Sequence, residues 1–469
     1  MSKSRVVLVA SPVAGDEQEL ERYRTAQLIS TIRAELDAQW VGWGPFPAKH
    51  PQDALSSGLS HSGAVSALDL SAAEVTAIRD QVSQRMLWPV LQGRADLMQF
   101  DADAYEIFLS ANCRLGRALS PHLHDGDQIW VHDYLHAPFA SALRDEGFAG
   151  VIGFLLHTPF PSADQMAALP VHKEFVSQLC CFNLLGFQTE ACRSNFHEAA
   201  ERCLSVNRHS NASNGVLQGP FGRVETYVSE IPGNTQATAR TAATSAVQRS
   251  EHYLRKCGDG RDLIGSFATL DPGQGIVERL QSFEVLLGQS PELCGRISMV
   301  QITLPHRHWL EDDDDVGAAV EQEFMRINGR FATFHWTPIR YFHKLLPPDR
   351  LTALYRSVRV GLIAPMREGV NLATKDFVAA QNPVDPGILI ASNVAGGSRL
   401  SGAFYVNPFD VEGIATALNR ALRVPLPERQ ARLSSMMNAL EAQDMESWCR
   451  DFIAQLMRSR PVRPAVVPA

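Results

Sequence analysis

Four polar residues follow short apolar runs and could do chemistry there. Asp133 ends Ile129-Trp-Val-His-Asp-Tyr134, and His157 sits in Ile152-Gly-Phe-Leu-Leu-His-Thr-Pro-Phe-Pro161. Glu368 and Asp376 belong to Pro365-Met-Arg-Glu-Gly-Val-Asn-Leu-Ala-Thr-Lys-Asp-Phe377. A carboxylate at a strand end can accept hydrogen bonds from two hydroxyls of a ligand. An imidazole there can contact a polar ligand. Glu368-Gly-Val-Asn-Leu372 is expected to form a loop into a helix, so that the N–H groups of Gly369, Val370, Asn371 and Leu372 can meet a ligand's oxygens or a phosphate. Each residue also has a structural reading: Asp133 as a helix N-cap, His157 as a core histidine, Glu368 as a charge favoured by a helix dipole, Asp376 as a solvated helix residue.

The surrounding chain alternates buried strands with amphipathic helices. Strands are expected at 6–10, 40–43, 128–131 and 151–157, with helices at 18–36, 71–86, 102–119, near Ser141 and from Ser162; Pro89 is expected to break the chain after the second helix. A softer stretch at 207–242 reads as an interdomain passage. A second series follows, with strands at 266–270, 297–304, 331–336, 360–364, 388–392 and 404–406. Its helices are expected at 275–287, 318–328, 348–358, 372–381 and 411–422, then a final helix at 428–458 broken near Gln443. Two doubly wound α/β domains in tandem should bind a ligand at the C-terminal ends of their strands. The expected division is 1–228, 229–440, a C-terminal helix at 441–459 and a disordered tail at 460–469.

A chain of 469 residues has room for two or three domains. Its net charge of −8, without a long basic run, gives no reason to expect nucleic acid or a membrane surface as a partner. The opening segment turns acidic after a very short apolar run and reads as a core strand, not a signal peptide. The eight cysteines show no CxxC spacing and read as reduced thiols of a cytoplasmic protein. His132, His136 and His157 lack a defined ligand spacing, and the five acids at 311–315 read as a solvated loop leading into a helix. No metal and no cofactor is expected.

The three strings, with Leu184-Leu-Gly-Phe-Gln-Thr189, Ser392-Asn-Val-Ala-Gly-Gly397 and Val406-Asn-Pro-Phe-Asp410, resemble the trehalose-phosphate synthase family over nearly the whole chain. The resemblance implies a GT-B fold, two Rossmann-like doubly wound domains facing a central cleft, with the helix at 441–459 returning to the N-terminal domain. It also implies metal-independent transfer, with retention, of glucose from a nucleotide sugar to glucose 6-phosphate. By the same resemblance Asp133 contacts the acceptor sugar, His157 the donor sugar near the reacting carbon, Glu368 the sugar hydroxyls and Asp376 the ribose. Trp88 matches an acceptor-side aromatic, a core tryptophan being the alternative. Arg307 matches a phosphate-binding arginine.

The chain departs from that pattern at the phosphates. Thr269 and Gln274 stand where the family has the Arg and Lys that hold the donor's diphosphate. Ser11-Pro12 follows the first strand where the family has an Asn-Arg pair, whose Arg binds the acceptor's phosphate. Arg79 stands where the family has a phosphate-contacting Tyr, and with Arg307 could form an anion site; an exposed helix residue is the other reading of Arg79. The expected activity is therefore a divergent glycosyl or pseudo-glycosyl transfer from a nucleotide-linked donor to a polar acceptor, phosphorylated or not. Alternatives are an ordinary synthase, with Arg255, Arg261, Arg340 or Lys375 replacing the missing charges, and a non-catalytic paralogue that binds a sugar phosphate or a partner synthase as a regulator. Partners are the small-molecule donor and acceptor, and a homo-oligomer stays open.

Overall fold

The computed structural model describes residues 5–13, 24–44, 47, 58–204, 216–304, 314–394, 396–397 and 399–459. The chain forms two compact units, one holding the described residues up to Ile231 together with those from Met445, the other spanning Pro232–Asp444.

In the first unit, β1 (Val6–Val9), β2 (Gln39–Trp43), β3 (Ser60–Ser62), β4 (Val65–Leu68), β5 (Gln128–His132), β6 (Ile152–Leu155), β7 (Leu184–Phe187), β8 (Val216–Gly219) and β9 (Gly222–Val228) form one sheet. Its order is β3-β4-β2-β1-β5-β6-β7-β9-β8. Only the β3–β4 and β8–β9 pairs are antiparallel. β5, β6 and β7 are buried throughout, as parallel strands covered on both faces must be. The chain runs outward from β1 through β2 and then returns to β5 on the other side of β1, so the sheet's switch point lies between β1 and β5.

The second unit repeats the logic with β10 (Asp262–Thr269), β11 (Ile297–Leu304), β12 (Ile339–His343), β13 (Val360–Ile363), β14 (Ile388–Ser392) and β15 (Phe404–Val406). These are all parallel, in the order β12-β11-β10-β13-β14-β15. Its switch point lies between β10 and β13.

Three sequence expectations need correction. The soft stretch is not one passage: residues 216–228 form the β8–β9 hairpin of the first sheet, and Thr235–Ala242 is a helix of the second unit. The apolar alternation at 331–336 is not a strand. Phe331 ends the helix Asp314–Phe331, Thr333 and Trp336 close a tight turn, and Trp336 is buried with its indole N–H on the Ile297 carbonyl at 2.8 Å. The strand is β12, which follows it. Finally, Pro89 does not break the chain. Thr76–Leu87 is a π-helix, and an α-helix, Trp88–Leu91, continues it through Pro89. The Trp88 N–H bonds Ser83 and the Gln92 N–H bonds Trp88, so the proline's missing donor falls where the bonding shifts from i→i+5 to i→i+4. The buried pairs Ala77/Ile78, Val82/Ser83 and Met86/Leu87 recur every four to five residues, a wider spacing than an α-helix presents.

The C-terminal segment forms two helices, Leu426–Glu441 and Met445–Arg458. The second packs on the first sheet, where Phe452 stacks on Trp130 at 4.2 Å between ring centroids and 8° between planes. Glycines make room for it: a Cβ on Gly153 would meet Phe452 at 3.0 Å, and one on Gly186 would meet it at 2.9 Å. Residues 460–469 lie outside the described residues. Phe452→Ala should lower the first unit's unfolding free energy by about 3–5 kcal/mol, the usual cost of a large buried aromatic. A urea titration showing under ~1 kcal/mol of loss would mean that this helix does not anchor the sheet.

Candidate functional site

In the first unit the site residues gather where β5 and β6 end. Asp133 directly follows β5, with φ 68° and ψ 164°, a backbone region almost confined to glycine that costs of order 1–3 kcal/mol. Its N–H is tied to the Leu155 carbonyl at 2.9 Å, which holds the residue in place. Its side chain makes no capping bond to the turn Tyr134–His136, so the N-cap reading fails. Instead Asp133 Oδ1 accepts the backbone N–H of His157 at 3.4 Å. The two residues, 24 positions apart, are thus brought together.

His157 is half-buried, and its Nε2 lies 3.0 Å from Nδ1 of His132. His132 is buried, and its ring packs against Trp130 at 4.6 Å. Burial holds the His132 pKa well below the usual histidine range, with the neighbouring His157 and His136 acting in the same direction. His132 is therefore a neutral partner for His157. His136 turns elsewhere, its Nε2 2.8 Å from Ser11 Oγ and its Nδ1 3.2 Å from Asn112 Oδ1. His132 and His157 therefore pair with each other, while His136 belongs to a separate network. Among the described residues no group of three or more His, Cys, Asp or Glu side chains could hold a metal ion.

Arg79 and Trp88 are half-buried on the continuous helix that starts with the π-helix. They are nine positions apart, about two turns of a helix bonded i→i+5 but two and a half of one with about 3.6 residues per turn. The π-helix therefore puts both on one face, where an α-helix would set them on opposite faces. Arg79 Nη2 donates to the Gly44 carbonyl at 3.3 Å, just past the end of β2. The exposed-helix reading of Arg79 thus gives way to a side chain directed at the strand ends. Arg307 lies outside the described residues.

In the second unit three strand-end loops are tied together. Thr269 is the last residue of β10, and Gln274 ends the short turn Pro272–Gln274. The Asp271 carboxylate accepts the Gly273 N–H at 2.7 Å. The Gly273 carbonyl accepts the N–H of Met366 at 2.9 Å, joining the loops after β10 and β13. The Glu368 carbonyl accepts the Gly396 N–H at 2.7 Å, joining the loop after β14. A Cβ on Gly396 would stand 2.5 Å from the Gly369 oxygen, so this junction requires glycine. Asn371 caps the helix Leu372–Ala380, its Oδ1 accepting the Thr374 N–H at 3.1 Å. Asp376, on that helix, accepts from Thr238 Oγ1 at 3.4 Å.

Beneath the β10 loop lies Arg279, fully buried, which sequence reasoning passed over as an ordinary helix residue. Its guanidinium donates to the Phe267 carbonyl at 3.0 Å, to Ser266 Oγ at 3.3 Å and to the Gln274 carbonyl. Burial pushes its pKa down to about 10, opposed by the charges of Glu368 and Glu278, so it stays cationic at neutral pH. Of the four cations considered as substitutes, Arg255 pairs with Asp385 at 2.9 Å, and Arg261 lies at the N-terminal end of β10, opposite Thr269. Arg340, early in β12, donates to the Cys257 carbonyl at 3.3 Å. Only Lys375 follows the C-terminal end of a strand, on the helix after β13.

The family model of glycosyltransferase family 20 matches residues 10–458. The chain belongs to glycosyltransferase family 20. A trehalose-6-phosphate synthase of Sinorhizobium fredii is 34% identical over 92% of this chain and 94% of its own length. Two solved structures share the GT-B fold of this family 20 chain. One is a UDP-forming synthase from Burkholderia xenovorans in complex with glucose-6-phosphate, 34% identical, covering 97% of this chain and 100% of that one, TM-score 0.88. The other, from E. coli, is bound with UDP-2-fluoro glucose, 32% identical, covering 98% and 100%, TM-score 0.90.

The buried histidines predict a pH effect in this family 20 chain. Burial depresses the folded-state pKa of His132 and takes that of His136 down to about 3, against 6.5 for an ordinary histidine. Below about pH 6.5 the unfolded chain binds protons that the folded chain refuses, so stability is present above that pH and lost as pH falls. Each histidine should contribute up to about 1.4 kcal/mol per pH unit between pH 6 and 5. Urea unfolding should show this slope, and His136→Asn should flatten it; equal slopes in both proteins would mean that His136 is not buried neutral.

Proposed function

We propose that this chain is a metal-independent retaining glycosyl or pseudo-glycosyl transferase. It moves a sugar or sugar-like unit from a nucleotide-linked donor to a polar acceptor, phosphorylated or not, with an altered grip on the donor's phosphates. The observation that carries the reading is the state of the β10 loop. Thr269 and Gln274 offer hydrogen bonds without charge at the two positions that the family fills with Arg and Lys. The nearby cation, Arg279, donates to the Ser266 hydroxyl and to the Phe267 and Gln274 carbonyls behind the loop. A leaving diphosphate develops charge that fixed cations stabilise, and one such group is worth roughly 2.7–4 kcal/mol by analogy with oxyanion donors.

In this reading Asp133 holds acceptor hydroxyls. His157 contacts the donor sugar beside the reacting carbon, oriented by His132 and by its backbone bond to Asp133. Glu368 takes donor hydroxyls, while Gly369, Val370, Asn371 and Leu372 present the backbone before the helix Leu372–Ala380, with Asp376 reaching the ribose. Arg79 and Trp88, on one face of their helix, take the acceptor's anionic group and its apolar face, with Arg307 as a second cation.

A second reading, ordinary trehalose-phosphate synthesis from UDP-glucose and glucose 6-phosphate, is favoured by Lys375. This cation lies on the helix that follows β13, at the same strand ends as Thr269.

Turnover separates the two. With UDP-glucose and glucose 6-phosphate the wild-type chain should release little or no trehalose phosphate. Robust synthesis would establish the ordinary reading and discard the altered grip. On the acceptor side, Arg79→Ala should weaken glucose 6-phosphate binding by about 1.5–3 kcal/mol, the range for a hydrogen bond to a charged group, and leave glucose binding unchanged. Equal calorimetric affinities of wild type and variant for glucose 6-phosphate would remove Arg79 from the site.

A further inference from the structure

A buried polar network behind the end of β1 fixes which kind of hydrogen bond one strand-end side chain can make. Ser11 is half-buried and follows β1 at the switch point. β1 and β5 pair in parallel with Val9 opposite Val131, and continuing that register sets Ser11 level with Asp133. Ser11 Oγ accepts the Trp43 backbone N–H at 2.7 Å and lies 2.8 Å from His136 Nε2. His136 Nδ1 lies 3.2 Å from Asn112 Oδ1, and Asn112 Nδ2 donates to the carbonyls of Phe108 at 3.1 Å and Leu135 at 3.2 Å.

The proton positions follow from these partners. Two backbone carbonyls can only accept, so the Asn112 amide must turn its NH2 toward them and its oxygen toward His136. An oxygen facing His136 Nδ1 requires a proton there. The ring is buried, and burial takes its pKa down to about 3, so it is neutral and carries no second proton. Nε2 is therefore an acceptor, and the Ser11 hydroxyl proton points at it. One Ser11 lone pair takes the Trp43 N–H, which leaves a single lone pair and no donor. Serine, histidine and asparagine stand in the order of a nucleophile-activating relay. A ring this weakly basic does not take the serine's proton at neutral pH, so the relay sets polarity and does not generate a nucleophile.

We propose that Ser11 is an acceptor-only specificity residue: it selects an acceptor substrate that presents a polyol hydroxyl to the end of β1, and it disfavours a phosphate oxygen there. This rests on the transferase reading above. Arg79 marks the complementary position. Its guanidinium bonds the Gly44 carbonyl, one residue beyond the Trp43 N–H that Ser11 holds. A ligand meeting both carries an anionic group for Arg79 beside a hydroxyl for Ser11, which describes a phosphorylated polyol, not a bare anion.

The test uses the full chain in two arms. Nitrogen-15 NMR of the histidine rings at neutral pH should show His136 neutral with its proton on Nδ1. Calorimetry with glucose 6-phosphate and with inorganic phosphate should show Ser11→Ala weakening the sugar phosphate about 2- to 10-fold, the worth of one neutral hydrogen bond, without weakening phosphate. Ser11→Cys keeps a donor for His136 but accepts poorly. With a wild-type melting temperature it should bind glucose 6-phosphate as weakly as the alanine variant, which separates a lost acceptor from a damaged fold. A proton on Nε2 with sugar binding intact overturns the fixed polarity. Cysteine or alanine variants as tight as wild type, or phosphate weakened equally, overturn the contact. Failure of the wild type to bind glucose 6-phosphate, with the Nδ1 tautomer present, overturns the acceptor reading and the ligand with it while leaving the polarity standing.

Discussion

The polar edge of the first sheet depends on an apolar stack behind it. Phe452 of the returning helix lies flat on Trp130, Trp130 backs His132, and His132 holds His157 by its ring nitrogen. Glycines at 153 and 186 leave the space that lets the helix approach. The strained Asp133 is held by bonds to the two ends of the β6 exit, the Leu155 carbonyl and the His157 N–H. Well-packed apolar contacts can keep polar groups in demanding geometry because they leave few alternative arrangements. The ring of His157 therefore owes its position to a stack built on a helix contributed from the far end of the chain.

The second unit achieves position differently, through backbone. Gly273, Glu368 and Gly396 join three loops by main-chain hydrogen bonds, and Asn371 closes the helix start. Such a frame keeps its shape when side chains at its rim change. That accounts for a chain that retains the GT-B frame of family 20 while carrying neutral Thr269 and Gln274. Arg279 fits the same account. Its charge is placed against carbonyls, where it secures the loop from behind.

Much of this was legible in the sequence. Buried parallel strands read clearly because both faces are covered and the apolar runs are continuous, as in β5, β6 and β14. Asp133 and His157 were identifiable as strand-end residues. Other features were hidden for physical reasons. The 71–86 segment reads as amphipathic at helical spacing, and only the paired burial every four to five residues reveals the π-helix that aligns Arg79 with Trp88. The 331–336 alternation mimics a strand because Trp336 is buried by a turn. Arg279, His136 and Ser11 carry no spacing signal, since their roles arise from contacts between segments as distant as residues 11 and 136.

With Thr269 and Gln274 neutral, the proposed grip on the donor's diphosphate lacks the fixed charge of an Arg and a Lys. Calorimetric titration of UDP into the wild type and into Thr269→Arg/Gln274→Lys tests it most directly. The wild type should bind UDP weakly, and the double variant should gain on the order of a hundredfold or more, as two cations worth about 1.5–3 kcal/mol each would give. Tight wild-type binding that the double variant fails to improve would contradict it.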